Sequence, residues 1–120
     1  MKNLPPCMIL EVGYLILLSS NYECLISSVE WRTAGTYTLN KSTTNYKKFL
    51  IKVSNYGKLL NYFCMHFQFF NNTPLHIPIN NGSNGFGYIG FYLLNNNLVI
   101  TENTNPSGSS IQVVNGFSQY

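Results

Sequence analysis

The sequence predicts an all-β protein: one antiparallel β-sandwich or jelly roll of about seven strands, preceded by an apolar N-terminal segment. Three observations carry this. From Trp31 to Val114 apolar residues recur at alternate positions, the period of a strand, with almost no helical 3.6-residue face. The apolar runs are short and restart at about 8–12-residue spacing, as in sandwiches. Asn, Gly, Ser and Pro fill the gaps, and these are the residues of tight turns. A chain of 120 residues suffices for one core of its own.

The strands follow in order. Gly35-Thr36-Tyr37-Thr38-Leu39 is rich in β-formers, and residues 40–45 make a polar turn. In Tyr46–Ser54, Phe49, Ile51 and Val53 share one face, with Lys48, Leu50 and Lys52 on the other. Asn55-Tyr56-Gly57 breaks this strand. Leu59–Phe70 reads as one long strand with Phe63, Met65, Phe67 and Phe69 as a wall of the core, ended by Asn71-Asn72-Thr73-Pro74. Leu75, Ile77 and Ile79 make a short strand that Pro78 places at a sheet edge. Two Asn-Gly steps mark residues 80–87 as a loop. Tyr88–Leu94 and Leu98–Thr104 form a hairpin around Asn95-Asn96-Asn97, and Ile111–Val114 is a last strand closed by Asn115-Gly116. The simplest division is an N-terminal segment, 1–27, and a β-sandwich domain, 28–120.

Composition narrows the functional classes. Charged residues are only 9% of the chain, against about a quarter in typical proteins. Polarity comes instead from Asn, Ser and Thr; there are 17 Asn and no Asp, an imbalance that points to an AT-rich coding sequence. Lys41, Lys47, Lys48, Lys52 and Lys58 make a mild basic stretch. It lacks the dense basic residues interleaved with aromatics of a nucleic-acid surface, and reads as a solvated or edge-guarding face. Cys7, Cys24 and Cys64 match neither a disulfide framework nor metal-ligand spacing, and are expected to be buried free thiols. The apolar stretch Cys7–Leu18, interrupted by Glu11, is too short to cross a bilayer. It is a buried strand or short helix, or else the core of a leader, although Leu18-Ser19-Ser20-Asn21 is a poor cleavage site.

Gly85-Phe86-Gly87-Tyr88-Ile89-Gly90 matches the dinucleotide-binding G-x-G-x-x-G pattern, but a loop precedes it, a strand follows, and no Asp exists to take the ribose. The glycines belong to turns. His66 and His76 are the only histidines; His66 is expected to be a hydrogen-bonded structural residue, and the four Glu are scattered. No nucleophile motif, metal motif or paired carboxylate emerges, so neither an enzyme nor a cofactor is expected. Sequons at Asn40, Asn71 and Asn81 occur as often as chance allows in so Asn-rich a chain.

Over residues 31–116 the order of features resembles the distal β-sandwich domains of bacteriophage tail-fibre and baseplate proteins. The resemblance rests on Trp31 in an opening strand, on Gly35-Thr36-Tyr37-Thr38-Leu39, on Asn45-Tyr46-Lys47-Lys48-Phe49-Leu50-Ile51-Lys52-Val53, and on Ile111-Gln112-Val113-Val114-Asn115-Gly116. It implies virion tail assembly or host-surface attachment, often through glycans, on a homotrimeric scaffold made in the host cytoplasm. The alternative is a secreted or surface adhesin or carbohydrate-binding module of a cell. Loop polars beside aromatics, namely Asn72, His76, Asn81, Asn84 and Phe86, are the candidate ligand-binding residues; ordinary turn formation is the other reading of them. Tyr88–Leu94 is apolar on both faces, which calls for a cover, either partner chains or the run Met8–Leu18 of the same chain.

Overall fold

The structure, a computed structural model, describes residues 22–120. It is an antiparallel β-sandwich of eight strands: β1 Tyr22–Ile26, β2 Gly35–Thr38, β3 Lys48–Asn55, β4 Lys58–Met65, β5 Leu75–Asn80, β6 Phe86–Leu94, β7 Asn97–Asn103 and β8 Ser109–Phe117. The first sheet has the order β1-β8-β3-β4 and the second β2-β7-β6-β5. Pairs β1–β8 and β2–β7 join distant parts of the chain, whereas β3–β4 and β5–β6–β7 are hairpins. β1 is the strand beyond the seven read from the sequence, and it pairs with β8. No helix among the described residues is long and apolar enough to cross a membrane.

The core lies between the sheets. Phe49, Ile51 and Val53 of β3 enter it as their alternation requires, and meet Ile89, Phe91 and Leu93 of β6, Leu98 and Ile100 of β7, and Ile111 and Val114 of β8. Pro78 sits in β5, an edge strand, where its missing N–H costs no ladder bond. The first sheet is also buried on its other parity, where Leu50 packs with Phe117 and Tyr22 in a second cluster on the opposite face.

The sequence reading is corrected at four places. The long strand stops at Met65, where the backbone N–H donates to Gln68 Oε1 (2.7 Å) and a 3-10 segment, His66–Asn72, begins. Register with β3 puts Tyr62 opposite Ile51 and Cys64 opposite Phe49, so Cys64 and Tyr62 face the core while Phe63 is 43% and Phe67 67% exposed. Of the four residues expected to form that wall, Phe69 alone is in the core, carried there by the 3-10 segment rather than by strand parity. Lys52 guards no edge and meets no solvent: it is 0% exposed on an interior strand, its Nζ donating to Asn61 Oδ1 (3.0 Å). β8 runs through Asn115-Gly116 to Phe117, because a side chain at Gly116 would strike the Tyr46 ring at 2.7 Å; the glycine makes room for that ring and does not end the strand. Finally, Cys64 is a free buried thiol, but Cys24 is disulfide-bonded; Cys7 lies outside the described residues.

Asparagine side chains lock one end of the sandwich. Asn55 Nδ2 donates to the carbonyls of Asn80 (3.1 Å) and Gly108 (3.3 Å), and its Oδ1 accepts from the Asn80 N–H (2.7 Å). Asn105 Nδ2 donates to Tyr56 Oη and to the Asn80 carbonyl, while Asn103 Nδ2 donates to the Arg32 carbonyl. Part-buried loop backbone is thereby satisfied, and so are the buried amides of Asn55 and Asn105.

Candidate binding cleft

The opposite end of the sandwich is open. A cleft of about 290 Å³ lies where the 3-10 turn Thr43–Asn45, the segment His66–Asn72 and the β6–β7 turn converge. Its size is near the lower bound of roughly 300 Å³ for small-molecule sites. Each wall has a local cause. Ser42 caps its 3-10 turn by accepting from the Thr44 N–H (3.3 Å), and Thr43 donates through both its N–H and its hydroxyl to the Asn95 carbonyl (2.7 Å each). This ties the turn to the β6–β7 corner. Asn95 adopts φ +54°, and Asn71 and Asn72 adopt +56° and +58°, left-handed values that asparagine tolerates better than most residues. The two consecutive left-handed residues let the chain reverse sharply, leaving Phe70 outside the protein with 74% exposure.

Phe69 anchors this segment from below, edge-to-face with Phe91 (5.5 Å between centroids) and Phe49 (6.4 Å). His66 Nδ1 donates to the Tyr46 carbonyl (2.8 Å), which is the structural role expected of it, and its ring lies at the cleft. Phe67 and Phe70 stand on the rim with Thr44, Asn72 and Asn95. Among the described residues the lining contains no carboxylate, ammonium or guanidinium group. Amide and hydroxyl groups beside exposed aromatic rings suit a neutral polyol better than a phosphate or a charged peptide. Among the described residues no cluster of His, Cys, Asp or Glu has the arrangement to hold a metal ion.

The five residues proposed from the sequence do not form one site. Asn72 lines the cleft. His76 points outward from β5, stacked on Tyr88 at 4.0 Å between centroids, midway along the second sheet. Asn81, Asn84 and Phe86 sit at the far end of β6; the strand puts that end roughly 27 Å from Leu94 at the cleft, at about 3.4 Å per residue. Asn81 holds its own loop: its N–H donates to the Gly85 carbonyl (2.7 Å) and its Oδ1 accepts from Thr104 Oγ1 (3.0 Å). Gly85 at φ +85° ends that loop, so the G-x-G-x-x-G stretch is a turn running into β6. Sequence reasoning missed Phe67 and Phe70 as surface residues because they fell inside a run that alternates like a strand. The signal available was the adjacent pair Phe69-Phe70 followed by Asn71-Asn72, where a two-residue period already fails.

Comparison with protein-family models, with curated proteins and with solved structures found no match to this chain.

Proposed function

We propose that this chain is a non-enzymatic β-sandwich module that attaches to a surface, in the manner of phage tail-fibre tips, and takes a neutral glycan in the cleft at Phe67 and Phe70. The observation that carries the reading is the cleft's chemistry: two phenylalanines exposed by 67% and 74%, beside amide and hydroxyl groups, with no charged side chain among the described residues of the lining. Exposed aromatic surface of this kind is costly to keep unless something covers it in use. Glycosidic cleavage calls for a pair of carboxyl groups, and the described residues of the lining supply amides and hydroxyls instead, which supports the binding reading. The tail-fibre reading also places the module on the virion as a homotrimer, with the outer face of the second sheet, carrying Tyr92, Leu94 and Val99, as the surface for neighbouring chains.

The test is a glycan array and a panel of bacterial cell-wall fractions probed with the full chain and with the Phe67→Ala/Phe70→Ala double variant. Binding by the parent that the variant loses supports the proposal. Binding retained by the variant, or no binding by the parent at all, rejects it.

One observation favours the second reading, a secreted or cell-surface adhesin. Cys24 is disulfide-bonded, and disulfides persist mainly in oxidising compartments. Alkylation of thiols at the moment of cell lysis separates the two: Cys24 already protected points to export, and Cys24 alkylated points to assembly in the cytoplasm.

A further inference from the structure

The cleft holds an acceptor whose chemistry the fold dictates. A backbone carbonyl can only accept, so the 2.8 Å contact between His66 Nδ1 and the Tyr46 carbonyl places the ring proton on Nδ1. The neutral imidazole then presents a lone pair, and no proton, at Nε2. Nε2 has no hydrogen-bond partner among the described residues, and the half-buried ring lines the cleft. Donors line the same cleft. Asn95 is tied to Thr43 through its backbone carbonyl, which leaves its side-chain amide unused, and the Asn72 amide likewise enters no hydrogen bond with a described residue. The floor is apolar: Phe69 and Leu93 are 6% and 4% exposed.

We propose that the occupant is an N-acetylated hexosamine, its acetamido N–H donating to His66 Nε2, its acetamido carbonyl accepting from the Asn72 or Asn95 amide, and its methyl group lying on Phe69 and Leu93. The assignment rests on the reading of the cleft as a glycan site and narrows that reading to one substituent.

The alternatives at that position of the sugar fit less well. A plain hydroxyl satisfies the nitrogen but sets a polar oxygen over an apolar floor. A free amino group brings an ammonium into a lining whose described residues include no carboxylate. The acetamido group unites a donor, an acceptor and a methyl in one planar unit and keeps the sugar neutral. A volume of about 290 Å³, at the low end for small-molecule sites, suits one ring with its substituent better than an oligosaccharide. Phe67 and Phe70 at the rim are then left for the apolar C–H face of that ring. A sugar without the N–H leaves a desolvated nitrogen unpaired, which is how a polar site discriminates.

The test titrates the full chain with the methyl glycosides of glucose, glucosamine and N-acetylglucosamine, and with their galacto counterparts. An N-acetylated form should bind at least about tenfold more tightly than its hydroxyl and amine analogues, equivalent to about 1.4 kcal/mol. His66→Asn separates binding from folding. Its Nδ2 can still donate to the Tyr46 carbonyl, while the acceptor is withdrawn from the Nε2 position. This variant should keep the parent's melting temperature and bind the acetamido and hydroxyl forms alike. If it does not fold, the imidazole ¹⁵N signals of the parent decide, since Nε2 should shift when the N-acetylated glycoside is added. Equal binding of all three forms by the parent, a preference retained in folded His66→Asn, or an unmoved Nε2 with sugar bound would each overturn the proposal and leave the broader glycan reading standing. Binding of none of the glycosides also overturns it; a glycan still captured on the array then spares the broader reading, and an empty array removes both.

Discussion

Truncating Phe69 and truncating Phe67 should have opposite consequences, though the two residues share a parity in the sequence and stand two positions apart. Phe69 is 6% exposed and makes edge-to-face contacts with Phe91 and Phe49, at the junction of the 3-10 segment with both sheets. Phe69→Ala removes a buried ring and two aromatic pairs, a loss of about 3–5 kcal/mol. At roughly 4 °C per kcal/mol for a domain of this size, the midpoint should fall by roughly 12–20 °C. Phe67, two-thirds exposed, gives up little burial, and Phe67→Ala should stay within about 0.5 kcal/mol of the parent. Urea unfolding followed by circular dichroism measures both, and an unchanged m-value confirms that only stability has moved. If Phe67→Ala costs more than Phe69→Ala, the strand continues past Met65 and the cleft as described does not exist.

Three further outcomes follow from other parts of the molecule. Asn55→Ala removes a buried amide that accepts from the Asn80 N–H and donates to the Asn80 and Gly108 carbonyls, and should cost about 1–3 kcal/mol, read as a shift in urea midpoint at constant m. Asn71→Gly should be neutral or slightly stabilising, whereas Asn71→Val, a β-branched residue forced to φ +56°, should lose at least about 1 kcal/mol by the same assay. Burial pushes the Cys64 thiol up to about 12 from 9.0, so the folded state holds this proton more tightly than the unfolded state. Its contribution is therefore complete below about pH 9 and is lost as the pH rises toward 12; Cys64→Ala should flatten this alkaline decline, and a disulfide reagent should reach Cys64 only on unfolding.

The β-sandwich itself was legible because alternation is strict where one face meets the core and the other meets water or turns. β7 follows this rule, with Leu98 and Ile100 buried, and Phe49, Ile51 and Val53 are the core-facing residues of β3 that the pattern selects. Alternation fails in two circumstances, and both occur here. When both faces of a strand are buried, a lysine looks like a solvent marker; Lys52 misled for that reason. When a strand passes into a 3-10 segment, the period changes without any change in composition, so Phe63–Phe69 kept an apparent rhythm that the backbone had dropped at Met65. The candidate site was less legible, since turn asparagines look alike. Asn72 lines a cleft opposite Thr43 and Thr44, and Asn81 closes its own loop on Thr104, a difference set by residues that lie far away in the sequence.

The most direct test of the account is to locate the bound sugar. Backbone and side-chain NMR shifts of the full chain would be recorded while the glycan that scores highest on the array is added. The account predicts shifts confined to the cleft residues, among them His66, Phe67, Phe70, Asn72, Asn95 and Thr44, with the Phe67 and Phe70 ring protons moving most. Shifts centred on Phe86 and Asn84, or on the outer face of the second sheet at His76 and Tyr88, would contradict it.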